Sequence, residues 1–245
     1  MIPPGTEAIN FLWFFVAYSF LGWCIEVIYG LIREKRFVNR NFLTLPVLPI
    51  YGAGGLLIIS LLYPVNGNLL LLFAGSFIIA SVLEYFSAAM MERVFRRSWW
   101  NYSKEILNVR GRISLKYSFF WGALSVVVIK FIHPHVASLI GSVPVEKLTF
   151  AAWITGIVML LDITVGILTV VGANKRSSEL NGIDRLIEDL STAMDGCSDA
   201  ERLVLDSEVK ELKEAHDILE KSPIWGYGRI LKDLPPYIHN IRHSG

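Results

Sequence analysis

The sequence predicts an all-α, polytopic membrane protein with five transmembrane helices and a helical hairpin in the cytoplasm. Three observations carry that reading. The 245 residues are 53% hydrophobic and have a mean hydropathy of +0.47, far from a soluble domain of this length. The apolar residues gather in five blocks: Ala8–Ile32, Leu45–Tyr63, Leu69–Met91, Tyr117–Ile132 and Leu148–Ala173. A helix rising about 1.5 Å per residue needs about 20 residues to cross a hydrocarbon core of roughly 30 Å. Finally, the basic residues collect in alternate connectors.

The first block is too long for a cleavable signal peptide, has no basic residues ahead of it, and is followed by no small-x-small cleavage site. Its connector, Arg33–Arg40, has four basic residues and one acid. The second block follows the stretch Asn39–Gly55, where two prolines separate the polar start from Tyr51-Gly52. They predict a chain that re-enters the membrane extended, with the helix starting near Tyr51. The connector Pro64–Asn68 is uncharged. After the third block, Arg93–Lys116 has seven basic residues and one acid. The fourth block is short, with Lys130 near its end, within reach of a headgroup region. In the last connector, His133–Lys147, the charges are Glu146 and Lys147. The positive-inside rule then places the first and third connectors in the cytoplasm, the N-terminus outside and the C-terminal tail inside. The predicted location is the plasma membrane.

The net charge of +1 divides unevenly: residues 1–172 carry 13 basic and 8 acidic residues, residues 173–245 carry 10 and 14. The basic excess is juxtamembrane and reads as topology and anionic lipid; nothing indicates nucleic acid. Cys24 lies in the first span and Cys197 in the tail, too far apart for a disulfide. No metal-ligand spacing occurs, and no cofactor is predicted.

Residues 1–173 form the transmembrane domain, 174–222 the cytoplasmic hairpin and 223–245 a C-terminal tail. Leu180, Ile183, Ile187, Leu190 and Met194 recur at three- and four-residue spacing before Asp195-Gly196 breaks the run. Ser198-Asp199-Ala200-Glu201 is a capping box, after which Leu205, Val209, Leu212, Ala215 and Leu219 resume the spacing. Such a hairpin serves self-association, packing against the membrane domain, or docking of a partner subunit. Amphipathic spacing alone does not choose among these.

Ionisable residues inside apolar spans are costly, so each needs a reason. Glu26 lies seven residues before Arg33, on a small-residue stripe with Gly22 and Gly30. Glu84 lies at a similar depth in the third span, with Glu92 nearer the exit. In the fifth span Thr155, Asp162, Gly166 and Thr169 form one small, polar face. These acids either make ion pairs that fix helix register or form a cluster that handles a solute.

An internal echo sharpens the second reading. Offset by 70 residues, Arg40–Leu45 aligns with Arg110–Leu115, and Ile50-Tyr51-Gly52-Ala53 with Phe120-Trp121-Gly122-Ala123. Glu26 and Glu84 hold similar places upstream, with about twelve extra residues in the later connector, including Trp99, Trp100 and Tyr102. Those aromatics belong either to an interfacial belt or to the site. Spans one-two and three-four are thus predicted to be parallel repeats about an axis along the membrane normal. The arrangement would group Glu26 with Arg40, and Glu84 with Arg110 and Arg112.

GWCIEVIYG, FVNRNFLTLPVLPIYGAGG, LEYFSAAMMERVF, RRSWWNYS and NVRGRISL resemble the bacterial membrane proteins described as putative ABC-transporter type IV, or CmpB-like, over roughly residues 8 to 172. Glu26, Asn39, Arg40, Pro49, Tyr51, Gly52, Glu84, Glu92, Trp99, Trp100, Tyr102, Asn108, Gly111 and Arg112 stand where that pattern has them. Asn41 and Leu45 replace expected glycines, and Asn101 replaces an aspartate. The resemblance implies a permease-like protein. The chain has no GxxxxGK[ST] phosphate loop, so an ATPase would be a separate subunit docking on the hairpin; a homo-oligomer through the hairpin is the other partner expectation.

The leading functional expectation is a transporter or permease component with a polar Glu/Arg cavity open to the cytoplasm. Its substrate-binding candidates are Glu26, Asn39, Arg40, Tyr51, Glu84, Glu92, Trp99, Trp100, Tyr102, Asn108, Arg110, Arg112 and Asp162. The guanidinium groups would take an anionic group or pair with the acids. The alternatives are a membrane-embedded enzyme acting on a lipid headgroup or lipid-linked substrate, and a membrane scaffold or assembly factor. No nucleophile–base pair or metal set supports an enzyme.

Overall fold

Hydrophobic length decides which helices can cross a bilayer. In the computed structural model, which describes residues 7–35, 37, 41, 43–96, 98–194 and 198–221, four helical stretches qualify among the described residues: Ala8–Arg33, Leu69–Phe95, Leu115–Gly141 and Val145–Ala193. They lie in α1 (Glu7–Glu34), α3 (Leu69–Phe95), the run from α4 (Leu115–Val127) through α5 (His133–Gly141), and α6 (Val145–Ala193). The second apolar block gives a shorter helix, α2 (Pro49–Leu62), extended by one tighter turn at Tyr63–Val65. Asn39, Arg40, residues 195–197 with Cys197, and residues 222–245 lie outside the described residues.

Two block limits move, each for a local reason. Residues 43–48 are not helical; Leu48 is extended (φ −116°, ψ 100°), and Pro49 occupies the first helical position, where no amide bond is lost. The fourth block does not stop at Ile132. Pro134 can neither bond back to the preceding turn nor leave room for its carbonyl, and a wide π turn at Val128–Ile132 absorbs the misfit. The helix then continues to Gly141, so Lys130 sits within it.

The predicted echo has a structural counterpart. α1 and α2 form one antiparallel hairpin, and α3 and α4 another. Gly52 of α2 lies against Phe15 and Ser19 of α1, while Gly122 of α4 lies against Phe73 and Phe77 of α3. The α1 residues and their α3 counterparts differ by 58 positions, as do Glu26 and Glu84. Corresponding residues also meet. Tyr51 and Trp121, 70 positions apart, touch edge to face at 5.6 Å, and Tyr63 and His133, with the same offset, at 5.4 Å. Equivalent positions touch where a two-fold axis passes, so the pseudo-symmetry axis runs between α2 and α4.

α6 closes the bundle. Trp13 donates to the Leu148 carbonyl at 3.2 Å at one end, and the Asn174 amide donates to the Phe95 carbonyl at the other. Of the predicted small, polar face Asp162, Gly166 and Thr169 are buried and Thr155 is half-buried. The helix does not break at the end of the apolar block but runs on to Ala193. α7 (Asp199–Lys221) returns antiparallel along that extension, with His216 3.4 Å from Asp184. The glutamate half of its capping box is formed: the Ser198 amide donates to Glu201 Oε2 at 3.0 Å, and the Ser198 hydroxyl donates to the same oxygen at 2.7 Å. Those bonds hold the Glu201 carboxyl below its usual range.

The connector between α3 and α4 is folded on itself. Strands β1 (Asn108–Val109) and β2 (Ile113–Ser114) pair antiparallel around Arg110 and Gly111, both at positive φ. Glycine tolerates that conformation at no steric cost.

Candidate functional site

Gly22 creates the first half of the site. A side chain there would overlap the Tyr51 ring, so its absence lets Tyr51 lie flat on α1 and reach one turn on. The Tyr51 hydroxyl donates to Glu26 Oε1 at 2.6 Å. In the second hairpin the equivalent ring is Trp121, whose Nε1 donates to Glu84 Oε1 at 3.2 Å. The extra residues of the later connector supply a further donor: the Tyr102 hydroxyl bonds the same oxygen at 3.0 Å. Tyr102 itself stacks on Tyr117, with centroids 4.2 Å apart. Burial first, and then the Glu84 carboxylate, push the Tyr102 phenol well above its usual range.

The two halves are one site. The Tyr51–Trp121 contact joins them on the axis. Counted along the helices, the glutamates lie seven and nine residues before Arg33 and Arg93, roughly 10–14 Å from that end of the bundle. Glu84 is only 7% exposed. Both donors go to its Oε1, and its Oε2 is buried without a hydrogen-bond partner.

The arginines are placed differently from the sequence expectation. Arg112 does not reach Glu84: its Nε and Nη2 both donate to Glu92 Oε2, at 3.0 and 2.7 Å, and its Nη1 donates to the Tyr85 hydroxyl at 3.1 Å. The guanidinium also lies 5.1 Å from the Tyr85 ring centre. The Glu92 hydrogen bonds hold Arg112 still more firmly in its charged form. Arg110 is exposed at the tip of the ribbon. Arg40, predicted beneath Glu26, and the binding candidate Asn39 fall outside the described residues.

Several candidates shape the connector. Trp100 Nε1 donates to the Arg112 carbonyl at 2.8 Å, and Trp99 packs on Phe95. Asn108 donates to the Glu105 carbonyl at 2.9 Å and accepts from the Gly111 amide at 3.0 Å. Asn101, at the expected aspartate, accepts from the Ser103 amide at 2.9 Å through Oδ1. An aspartate oxygen would do the same, so this departure removes no carboxylate from the glutamate pair.

Asp162 has a separate task. Its two oxygens accept from the Thr44 amide at 3.0 and 3.1 Å, and Oδ2 also accepts from the Leu45 amide at 3.0 Å. It therefore satisfies the backbone amides of the non-helical segment that leads into α2. Asn41, treated by the sequence only as a departure from glycine, completes the brace. Its amide donates to the Leu45 and Val47 carbonyls at 2.9 and 2.7 Å, and its oxygen accepts from Leu43. Beside this segment an apolar groove of about 250 Å³ lies between α1 and α6, lined by Val16, Val47, Ile154 and Met159 among others. None of the predicted site residues lines it.

Trp121 and Tyr117 were missing from the predicted site. The signal for Trp121 was the echo, which set it opposite Tyr51; Tyr117 carried no signal. Among the described residues no group of His, Cys, Asp and Glu could hold a metal ion. In comparisons with known proteins, a family model described as putative ABC-transporter type IV matches residues 13–167. No curated protein and no solved structure matches the chain.

Proposed function

The chain belongs to the putative ABC-transporter type IV family, and on that premise we propose that it is the membrane component of a transport system, with its cargo site between the two repeats. One observation carries this reading. Glu26 and Glu84 occupy equivalent positions of two parallel hairpins and are bonded to Tyr51 and Trp121, which touch on the axis. Parallel repeats about the membrane normal are a recurring transporter plan, with the site near the midplane at the repeat interface.

In this reading Glu26, Tyr51, Glu84, Tyr102 and Trp121 face the cargo, and Arg112 with Glu92 braces the connector beneath. The chain crosses the cell membrane five times. α2 is short, but its 14 residues give roughly 21 Å, and the non-helical lead-in, whose amides Asp162 satisfies, completes the passage. The basic connectors face the cytoplasm, as does the α6–α7 hairpin, and the N-terminus lies outside. The energy source is a separate ATPase docking on the cytoplasmic face, since the sequence has no phosphate loop.

Cells lacking the chain, and cells carrying wild type or Glu84→Gln at equal membrane levels, test this by untargeted measurement of intracellular solutes. Transport predicts that the same solute changes in the deletion and in Glu84→Gln, and that wild type restores it. No solute difference overturns the transport reading. A change confined to one lipid headgroup class overturns it in favour of lipid chemistry.

A further inference from the structure

A second polar layer lies on the same axis, toward the opposite end of the bundle. There the Tyr18 hydroxyl is hydrogen-bonded to His133 Nδ1 at 2.7 Å. His133 is buried and ringed by Phe14 at 5.2 Å, Tyr63 at 5.4 Å and Tyr18 at 6.4 Å between centroids. Between the layers, Ile58, Leu72 and Ile129 form a dry cluster. The axis thus carries a carboxylate station, an apolar plug and an aromatic station in that order.

We propose that the cargo of this axis is a small organic cation bearing an ammonium or guanidinium group, held by Glu84 and Glu26 at one station and by the aromatic faces around His133 at the other. The proposal rests on the transport reading of the same site and adds the class of solute. Among the described residues no cationic side chain pairs with the carboxylate station: neither Glu84 nor Glu26 forms a salt bridge. Glu84 Oε2 is buried with no partner. An unpaired carboxylate oxygen at membrane depth is costly, and a cation with N–H donors supplies both the charge and the missing hydrogen bond. The rings of Tyr51 and Trp121 beside the acids, and those of Phe14, Tyr18 and Tyr63 at the far layer, suit the same ligand, because aromatic faces attract cations. Among the described residues Arg112 is committed to Glu92 and offers an anion no host at the carboxylate station. Passage requires the two hairpins to part at the Tyr51–Trp121 seam and the isoleucine plug to open.

The test is binding to the purified full chain in detergent, read by melting temperature and tryptophan fluorescence. Benzylammonium and phenylguanidinium are the ligands; benzoate and inorganic phosphate are the controls. Both readouts should respond saturably to the cations and not to the anions. Glu84→Gln should weaken cation binding at least tenfold, and Trp121→Phe should keep the melting shift while losing much of the fluorescence change. If Glu84→Gln fails to fold, Glu26→Gln carries the same expectation. Stabilisation by the anions alone, an undiminished cation response in Glu84→Gln, or a cation response governed by Arg40→Gln instead would each overturn the assignment. So would a response to pH with none to either cation, which would mean that the carboxylates take only a proton. Each of these failures leaves the solute difference between cells intact, so the class of cargo and the transport reading fall separately.

Discussion

The two hairpins share a scaffold and differ where their second helices begin. In the second, α4 starts at Leu115, directly after a ribbon whose strands pair with each other and whose turn is held by Asn108. In the first, the equivalent residue is Leu45, and the chain stays non-helical, bent at 43–46, until Pro49; Pro46 and Pro49 stand in place of Lys116 and Phe119 of α4. The Thr44 and Leu45 amides of that stretch are met by Asp162, on a helix outside the two hairpins. One copy is therefore closed by its own connector, while the other depends on a distant carboxylate. Duplicated scaffolds can diverge in this way without moving the glutamates.

The largest expected effect breaks that dependence. Asp162→Ala leaves the Thr44 and Leu45 amides without their acceptor at membrane depth, a loss of about 3 kcal/mol. Hydrogen exchange should accelerate across 43–48 while 108–114 in the second hairpin stays protected. Equal acceleration in both hairpins would show that Asp162 supports the bundle generally, not the first opening. Asp162→Asn keeps one acceptor oxygen and should fall between.

The glycines at the hairpin seams give the next effect. A Cβ on Gly52 would overlap the Ser19 hydroxyl and lie 2.7 Å from the Phe15 carbonyl oxygen, which is backbone and cannot turn away. On Gly122 it would meet the edge of the Phe73 ring at 3.1 Å and Phe77 Cβ at 3.3 Å, which small ring shifts relieve. Gly52→Ala should cost about 2 kcal/mol through overpacking. Gly122→Ala should be near neutral, since about 1 kcal/mol of helix propensity offsets the strain. Unfolding in mixed micelles measures both, and equal losses would mean that the two seams are equally tight.

The sequence disclosed the duplication because its marks are side-chain identities: a ring followed by glycine in both second helices, and a glutamate in both first helices. It could not disclose what Asp162 holds, because the partners are backbone amides, which have no identity in a sequence. Charge proximity misled for Arg112. The positive-φ turn at Arg110-Gly111 carries Arg112 to Glu92 and Tyr85, leaving Glu84 to the neutral donors Tyr102 and Trp121. The fourth span ended too early in the sequence reading because His133 and Pro134 look like an exit. A single wide turn removes the conflict that proline creates.

The smallest effect isolates what the longer connector adds to the second glutamate. Among the described residues Glu26 has one donor, Tyr51, whereas Glu84 has Trp121 and the connector's Tyr102. Tyr102→Phe removes that second donor and should cost about 1 kcal/mol at neutral pH. Its signature is in the pH dependence. Burial raises the folded-state pKa of Tyr102 above the ordinary 10.0, so its contribution to stability is fully present below that value and is lost as pH rises from it toward the folded pKa. Wild type should therefore lose stability more steeply than Tyr102→Phe on the alkaline side, where the ordinary phenol begins to ionise. Melting temperatures of both proteins across that range make the comparison. Parallel alkaline limbs would mean that Tyr102 is as free to ionise in the folded chain as in the unfolded one, and that Glu84 does not depend on the inserted connector.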